Sequence, residues 1–303
     1  MRHISRKAFL QTSAVLTAAA LADLSFDTKK YKPLLSFSTL GCPDWSFPQI
    51  VDFAVLHGYK GLEIRGIKRE MDLPKSDIFS PQNIGSTIQL MKDKGLRFVD
   101  LGSSCTLHFE EDTEREKNIA EGKRFIDLAQ QINCPYIRVF PNLFPKGQDE
   151  NLTILIITKN LHELGEYAKK KKVRVLMETH GDLVKTEDLE KIMRLTEHSN
   201  VGLIWDVSNM WTVTKEPPKE VYNKLKKYIY HTHIKDAKLV DGKPQYTLLG
   251  EGEVPIFEAI DALSEGQYKG YYSFEWEKLW HPEIAEPEIA FAQYSKTMIQ
   301  HFK

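Results

Sequence analysis

Only three cysteines occur in 303 residues: Cys42, Cys105 and Cys134. None belongs to a CxxC pair and the three cannot all pair with one another, so neither a disulfide framework nor a cysteine metal site is expected. An excess of charge of one sign is also missing, with 41 basic against 42 acidic residues. The longest basic run, Lys169 to Lys172, falls where a helix should end, and cations there complement the helix dipole; no nucleic-acid partner is expected. No GxGxxG follows an early strand, which argues against a dinucleotide-binding open sheet. Beyond the first 22 residues, no apolar run is long enough to cross a bilayer.

The N-terminus is different in kind. Arg2, Arg6 and Lys7 precede a modestly apolar run, Ala8 to Leu21, that ends in an A-x-A-like site, Ala20-Leu21-Ala22. This pattern predicts an export signal over residues 1–22, removed after about Ala22, and a protein exported to the periplasm. Residues 5–10, SRKAFL, are twin-arginine-like, with Lys7 where the second arginine belongs. Gln11, Thr12 and Ser13 interrupt the apolar run, so a stable membrane span is not expected. A short mature segment, 23–33, then leads into the folded domain.

From residue 34 onward, short β-branched or aromatic runs alternate with longer stretches of helical period. Strands are predicted near 35–40, 61–65, 96–102, 135–140, 173–179, 201–206, 229–235 and 271–277. Helical spacing between them is illustrated by Ile50, Phe53, Ala54 and His57, and by Ile157, Leu161, Leu164 and Ala168. Eight strand–helix units in this length match a single (β/α)₈ TIM barrel over 34–303, an α/β fold in one domain.

In such a barrel the C-terminal strand ends converge on one mouth, and side chains of one parity face the axis. That parity turns Glu178, Asp206, His233 and Glu275 inward, while their neighbours Val175, Met177, Leu203, Trp205, Phe274 and Trp276 turn outward beneath helices. Glu63 on the second strand and Glu277 at the rim bring the inward carboxylates to five. Arg65, Arg138 and Lys235 share the inward parity, and three cations do not balance five carboxylates. Crowded, buried carboxylates repel one another and lose hydration, so one divalent metal ion (Mn²⁺, Mg²⁺, Co²⁺ or Zn²⁺) is expected, held by Glu178, Asp206, His233 and Glu275. His180 and His231, beside these residues, are placed to support the site or touch substrate.

Five short stretches, METH (177–180), WDVSN (205–209), HTHIKD (231–236), LGEGEV (249–254) and YYSFEWE (271–277), taken in this order resemble the xylose isomerase-like TIM barrels. That superfamily includes sugar isomerases, ketose 3-epimerases, inosose dehydratases and, more distantly, endonuclease IV. The resemblance covers about residues 34–300. It implies the same four metal ligands and makes Glu178 and Glu275 the catalytic acid/base pair. Two positions depart from the epimerase pattern: Asn209 stands where epimerases often carry a substrate-holding histidine, and Lys235-Asp236 where a stretch ends in a substrate-binding arginine.

A metal bound to a sugar's carbonyl and adjacent hydroxyl oxygens acidifies the C–H between them and stabilises the enediolate, and a glutamate then moves the proton. The expected activity is therefore isomerisation or epimerisation of a small carbohydrate substrate, with a lyase or dehydratase on a keto-glycoside or cyclitol, or a non-catalytic sugar-binding barrel, as alternatives. Lys235 is a candidate to neutralise developing negative charge, and His180, His108, Glu63, Arg65, Asn209 and His231 are candidates for substrate contact. Trp45 and Trp280 could stack on a sugar face. Glu251 and Glu253 in LGEGEV would repel a phosphate, so the substrate is expected to be unphosphorylated. Endonuclease IV-like action needs further histidines and a basic DNA-binding face that this chain lacks. Homo-oligomerisation is left open.

Overall fold

The structure, a computed structural model, describes residues 32–303. The expected export signal, and most of the short segment after it, lie outside those residues. Eight parallel strands close into a barrel: β1 (Leu34–Ser38), β2 (Gly61–Ile64), β3 (Arg97–Thr106), β4 (Tyr136–Phe140), β5 (Arg174–Glu178), β6 (Val201–Asp206), β7 (Ile229–Ile234) and β10 (Tyr271–Phe274). Around the barrel the order is β1-β10-β7-β6-β5-β4-β3-β2, so each strand pairs with its chain neighbours and β10 closes onto β1. The chain is thus a single (β/α)₈ TIM barrel.

Helices follow the strands: α1 (Phe47–Leu56), α2 (Ile84–Asp93), α3 (Asp112–Gln131), α4 (Glu150–Lys169), α5 (Thr186–Thr196), α6 (Val207–Thr214), α7 (Pro218–Leu225), α8 (Ile256–Glu265) and α9 (Pro287–His301). Helix α4 illustrates why these stretches fold locally. Asp149 caps it by accepting the Leu152 amide, satisfying one of the free N–H groups of the first turn. Ile157, Leu161, Leu164 and Ala168 form its buried stripe, and the lysine run begins at its last residue.

The outward strand residues behave as parity requires: Val175, Met177, Leu203, Trp205, Phe274 and Trp276 are all buried beneath the helices. This apolar layer fixes the register, since a slip of one residue would turn the inward acids into it.

One element was not anticipated. After β7 the chain enters an antiparallel hairpin, β8 (Asp236–Val240) with β9 (Lys243–Thr247), at the barrel mouth. Its turn is Asp241-Gly242, both with positive φ, the Asp-Gly pair that tight hairpins favour. The sequence signal was therefore present, though masked by the repeated strand–helix alternation.

Candidate metal centre and active site

Four strand ends build the core of the site. Glu178 ends β5, Asp206 ends β6, His233 lies one residue from the end of β7, and Glu275 follows β10. Asp206 and His233 stand opposite each other in the ladder, as do His233 and Ser273. One ligand atom from each of Glu178, Asp206, His233 and Glu275 lies within 4.8 Å of the others, and all four residues are buried.

His233 organises the geometry. Its Nδ1 faces Glu275 Oε2 at 3.3 Å, Glu178 Oε1 at 3.4 Å and Asp206 Oδ2 at 3.8 Å, without making a hydrogen bond. Its Nε2 lies 3.0 Å from Glu63 Oε2, which also receives His231 Nε2 at 3.0 Å and the Ser273 hydroxyl at 3.1 Å. A carboxylate oxygen can only accept, so Glu63 draws the proton of His233 to Nε2 and leaves Nδ1 as the ligand nitrogen. A buried nitrogen with no partner, facing three carboxylates, fits a divalent cation, and three oxygens with one imidazole suit Mn²⁺, Mg²⁺, Co²⁺ or Zn²⁺. Asp206 also caps helix α6 through Oδ1, which accepts the Asn209 amide at 2.8 Å, leaving Oδ2 for the site.

The basic residues divide the acids between them. Arg138 Nη1 lies 3.1 Å from Glu178 Oε2 and 3.4 Å from Glu275 Oε1, bridging the two glutamates on the side away from His233. Lys235 Nζ contacts Asp206 Oδ2 at 2.9 Å, Glu275 Oε2 at 2.7 Å and Glu277 Oε1 at 2.5 Å. Burial would push the carboxyls up. In Glu275 the neighbouring His233 and Lys235 outweigh it and hold the pKa well below the carboxylate range. Burial and Glu275 likewise push Glu178 up, but Arg138 and His233 leave it low. For Asp206 burial wins over Lys235, with Glu275 and Glu178 adding to it, and its pKa rises to about 7. Burial pulls His233 down, but Glu275, Glu63 and Glu178 raise it well above the usual imidazole value.

Above these groups is a cavity of about 110 Å³ lined by Arg65, Arg138, Glu178, His180, Lys235 and Glu275, with Glu277 and Trp280 among its other walls. His180 is held by Asn142 Oδ1 at 3.0 Å, and Asn209 Nδ2 reaches Glu178 Oε1 at 3.4 Å.

Several expected substrate contacts lie elsewhere. Glu63 and His231 are fully buried beneath His233, so they brace the site and do not line the cavity. Trp45 packs on Phe53 and Phe291 and is absent from the walls, where Trp280 stands instead. His108 bonds the Pro141 carbonyl and lies against Phe109 outside the cavity lining.

Asp100 was missed. It is fully buried on β3 opposite Glu63, and neither of its oxygens has a hydrogen-bond partner. Burial and Glu63 raise its pKa well above the usual value. A single aspartate within FVDLG, at the parity of Gly102, was the available signal.

In the loop LGEGEV two backbone amides are engaged within the chain. Asp236 Oδ2 accepts the amides of Gly250 at 2.9 Å and Gly252 at 3.0 Å, so the amides that would cradle an anion are already used.

The chain is similar to known proteins over most of its length. The model of the family described as "Xylose isomerase-like TIM barrel" matches residues 51–294. An inosose dehydratase of Clostridium perfringens is 25% identical over 280 residues, covering 80% of this chain and 85% of that one. Among solved structures, the probable 3-DHS dehydratase AsbF of Bacillus anthracis superposes with a TM-score of 0.73 at 18% identity, covering 88% of this chain and 98% of that chain. A xylose isomerase-like TIM barrel protein of Mycobacterium smegmatis, in complex with magnesium, gives 0.67 at 17% identity over 89% and 96%. At these identities the two structures speak for the fold alone.

Proposed function

This chain belongs to the xylose isomerase-like TIM barrel family, and from that premise we propose that it is a divalent-metal-dependent enzyme acting beside the carbonyl of an unphosphorylated, polyhydroxylated ketone. The observation that carries the proposal is the convergence of Glu178, Asp206, His233 and Glu275 beneath one small polar cavity. The ion, when bound, supplies Lewis-acid polarisation of the carbonyl and its neighbouring hydroxyl.

The chain's own residues do the rest. Glu178 and Glu275 stand on either side of Arg138, and one of them takes the proton from the carbon next to the carbonyl. Arg138 and His233 hold Glu178 in the charged form, and His233 and Lys235 do so for Glu275. Lys235 sets positive charge beside Asp206, Glu275 and Glu277.

Dehydration is the outcome we favour. The glutamate that took the proton delivers it to the hydroxyl on the next carbon; the C–H and C–O bonds break, a C=C bond forms, and water leaves. Support comes from the inosose dehydratase relatives, aligned over 80% of the chain, and from Asn209, which replaces the histidine of the resembling epimerases. Isomerisation or epimerisation is the second reading, favoured by the two glutamates sharing Arg138, which could take a proton from one face and return it to the other.

Incubation of metal-loaded protein in D₂O with ketoses, cyclic polyhydroxy ketones and polyhydroxylated keto acids separates these fates. Dehydration yields a product lighter by one water; epimerisation returns the starting mass plus deuterium. A panel without exchange or water loss would reduce the protein to a binder and overturn the proposal. Export through a signal cut after Ala22 is also proposed, and N-terminal sequencing of the protein from cell fractions checks it.

A further inference from the structure

Three cations are buried around the cavity, and two are neutralised within the chain. Arg138 meets Glu178 and Glu275, and Lys235 meets Asp206, Glu275 and Glu277. Arg65 has no such partner. Its Nη1 donates to the Gly102 carbonyl at 3.3 Å and its Nη2 to the Ser104 hydroxyl at 2.9 Å, and among the described residues no carboxylate is ion-paired with it. Yet it is only 6% exposed and forms part of the cavity wall. Burial and the guanidinium of Arg138 pull its pKa down to about 9, with Glu275, Glu178 and Glu121 compensating only from a distance.

The fold makes room for this uncompensated charge. A Cβ at Gly102 would come 2.5 Å from Arg65 Cδ and 3.4 Å from the Arg138 guanidinium carbon, so two guanidinium groups fit side by side only over a residue with no side chain. A buried cation without a counter-ion is unfavourable unless something bound there supplies one.

We propose that Arg65 is the counter-ion of a carboxylate on the substrate, which makes that substrate a polyhydroxylated keto acid. This rests on the reading of the site given above and narrows its substrate class. The forked N–H pairs of a guanidinium match the two oxygens of a carboxylate. The cavity of about 110 Å³ favours a small planar anion over a phosphate ester. The amides of Gly250 and Gly252, where a phosphate would be cradled, already serve Asp236.

The test is calorimetric binding to the metal-loaded protein of three unreactive ligands: D-gluconate, D-glucitol and D-glucitol 6-phosphate. Gluconate is expected to bind at least tenfold more tightly than glucitol, and more tightly than the phosphate ester. Arg65→Gln should abolish the preference for gluconate, and Arg65→Lys, which keeps the charge without the fork, should retain a smaller one. Equal binding of gluconate and glucitol by the wild-type protein overturns the inference, as does tighter binding of the phosphate ester or a full preference surviving in Arg65→Gln. The wild-type comparison decides even where a variant does not fold. An Arg65-dependent preference without deuterium exchange into any ketone refutes the reaction proposed above and leaves this inference standing; exchange without the preference does the reverse.

Discussion

Glu63→Gln is the most informative single change, because Glu63 touches neither cavity nor solvent and acts through His233. One of its oxygens accepts from His231, His233 and Ser273, at 3.0, 3.0 and 3.1 Å, while the other has no partner. An amide keeps an acceptor but weakens three charge-assisted bonds to neutral ones and places N–H groups where nothing accepts them. Each weakened bond costs ~1 kcal/mol and an unsatisfied buried donor ~1–3 kcal/mol, so a loss of about 4–6 kcal/mol is expected. For a domain of this size that is a fall in Tm of roughly 8–24 °C. The imidazole also loses its fixed tautomer, which should weaken metal binding by about 10–100-fold. Differential scanning calorimetry reads the first effect and chelator-competition titration the second. Ser273→Ala, which removes one of the three donors and leaves both imidazoles held, should leave metal affinity within about threefold while costing ~1 kcal/mol. A folded Glu63→Gln protein with wild-type metal affinity would show that His233 is not oriented from behind by this carboxylate, or is not a ligand.

Other expectations follow from the same geometry. In the metal-free protein Asp206 titrates at about 7 and His233 is raised well above the ordinary imidazole value, so both carry protons near pH 6. Metal binds their deprotonated forms; its apparent affinity should therefore rise with pH by about tenfold per unit for each proton displaced, with the slope easing above about pH 7 as Asp206 ionises unaided. Calorimetry in buffers of different ionisation enthalpy counts the released protons, and an affinity that falls as pH rises would contradict the assignment. Lys235→Met removes an ammonium 2.7–2.9 Å from two candidate ligand oxygens. The metal-free protein should lose about 3–5 kcal/mol of stability, whereas metal affinity should increase, because a competing cation is gone; titration showing weaker binding would refute that. Glu178→Gln and Glu275→Gln should each lower deuterium exchange at the substrate carbon by at least about 10²-fold, and near-native exchange in both variants would remove them as the acid/base pair.

Much of the site was legible because strand alternation is a local property. The apolar residues Val175, Met177, Leu203, Trp205, Phe274 and Trp276 mark one face, and whatever lies between them must face the barrel axis. Glu178, Asp206, His233 and Glu275 follow from that rule and from the position of each at a strand end. The strand–helix count likewise reads from the chain, as does the helix end at the lysine run. Depth and distance across the barrel do not. Parity puts Glu63, His231 and His233 on the same inner surface, but only the closed barrel sets Glu63 and His231 beneath the cavity. The registers involved shift between Leu62 and Glu63 and between Leu203 and Ile204, irregularities that no alternation pattern encodes. The same holds for Arg65. Sequence counts three cations against five carboxylates, yet which cation is left without a partner depends on distances between strands far apart in the chain. Trp280 replaces Trp45 at the wall because loop conformation, not periodicity, decides where those side chains lie. What the chain alone determined was which residues face inward, since the two-residue repeat of a strand is written into neighbouring positions. What the tertiary structure decided was which of them meet, since closure, tilt and register join residues that share no local pattern.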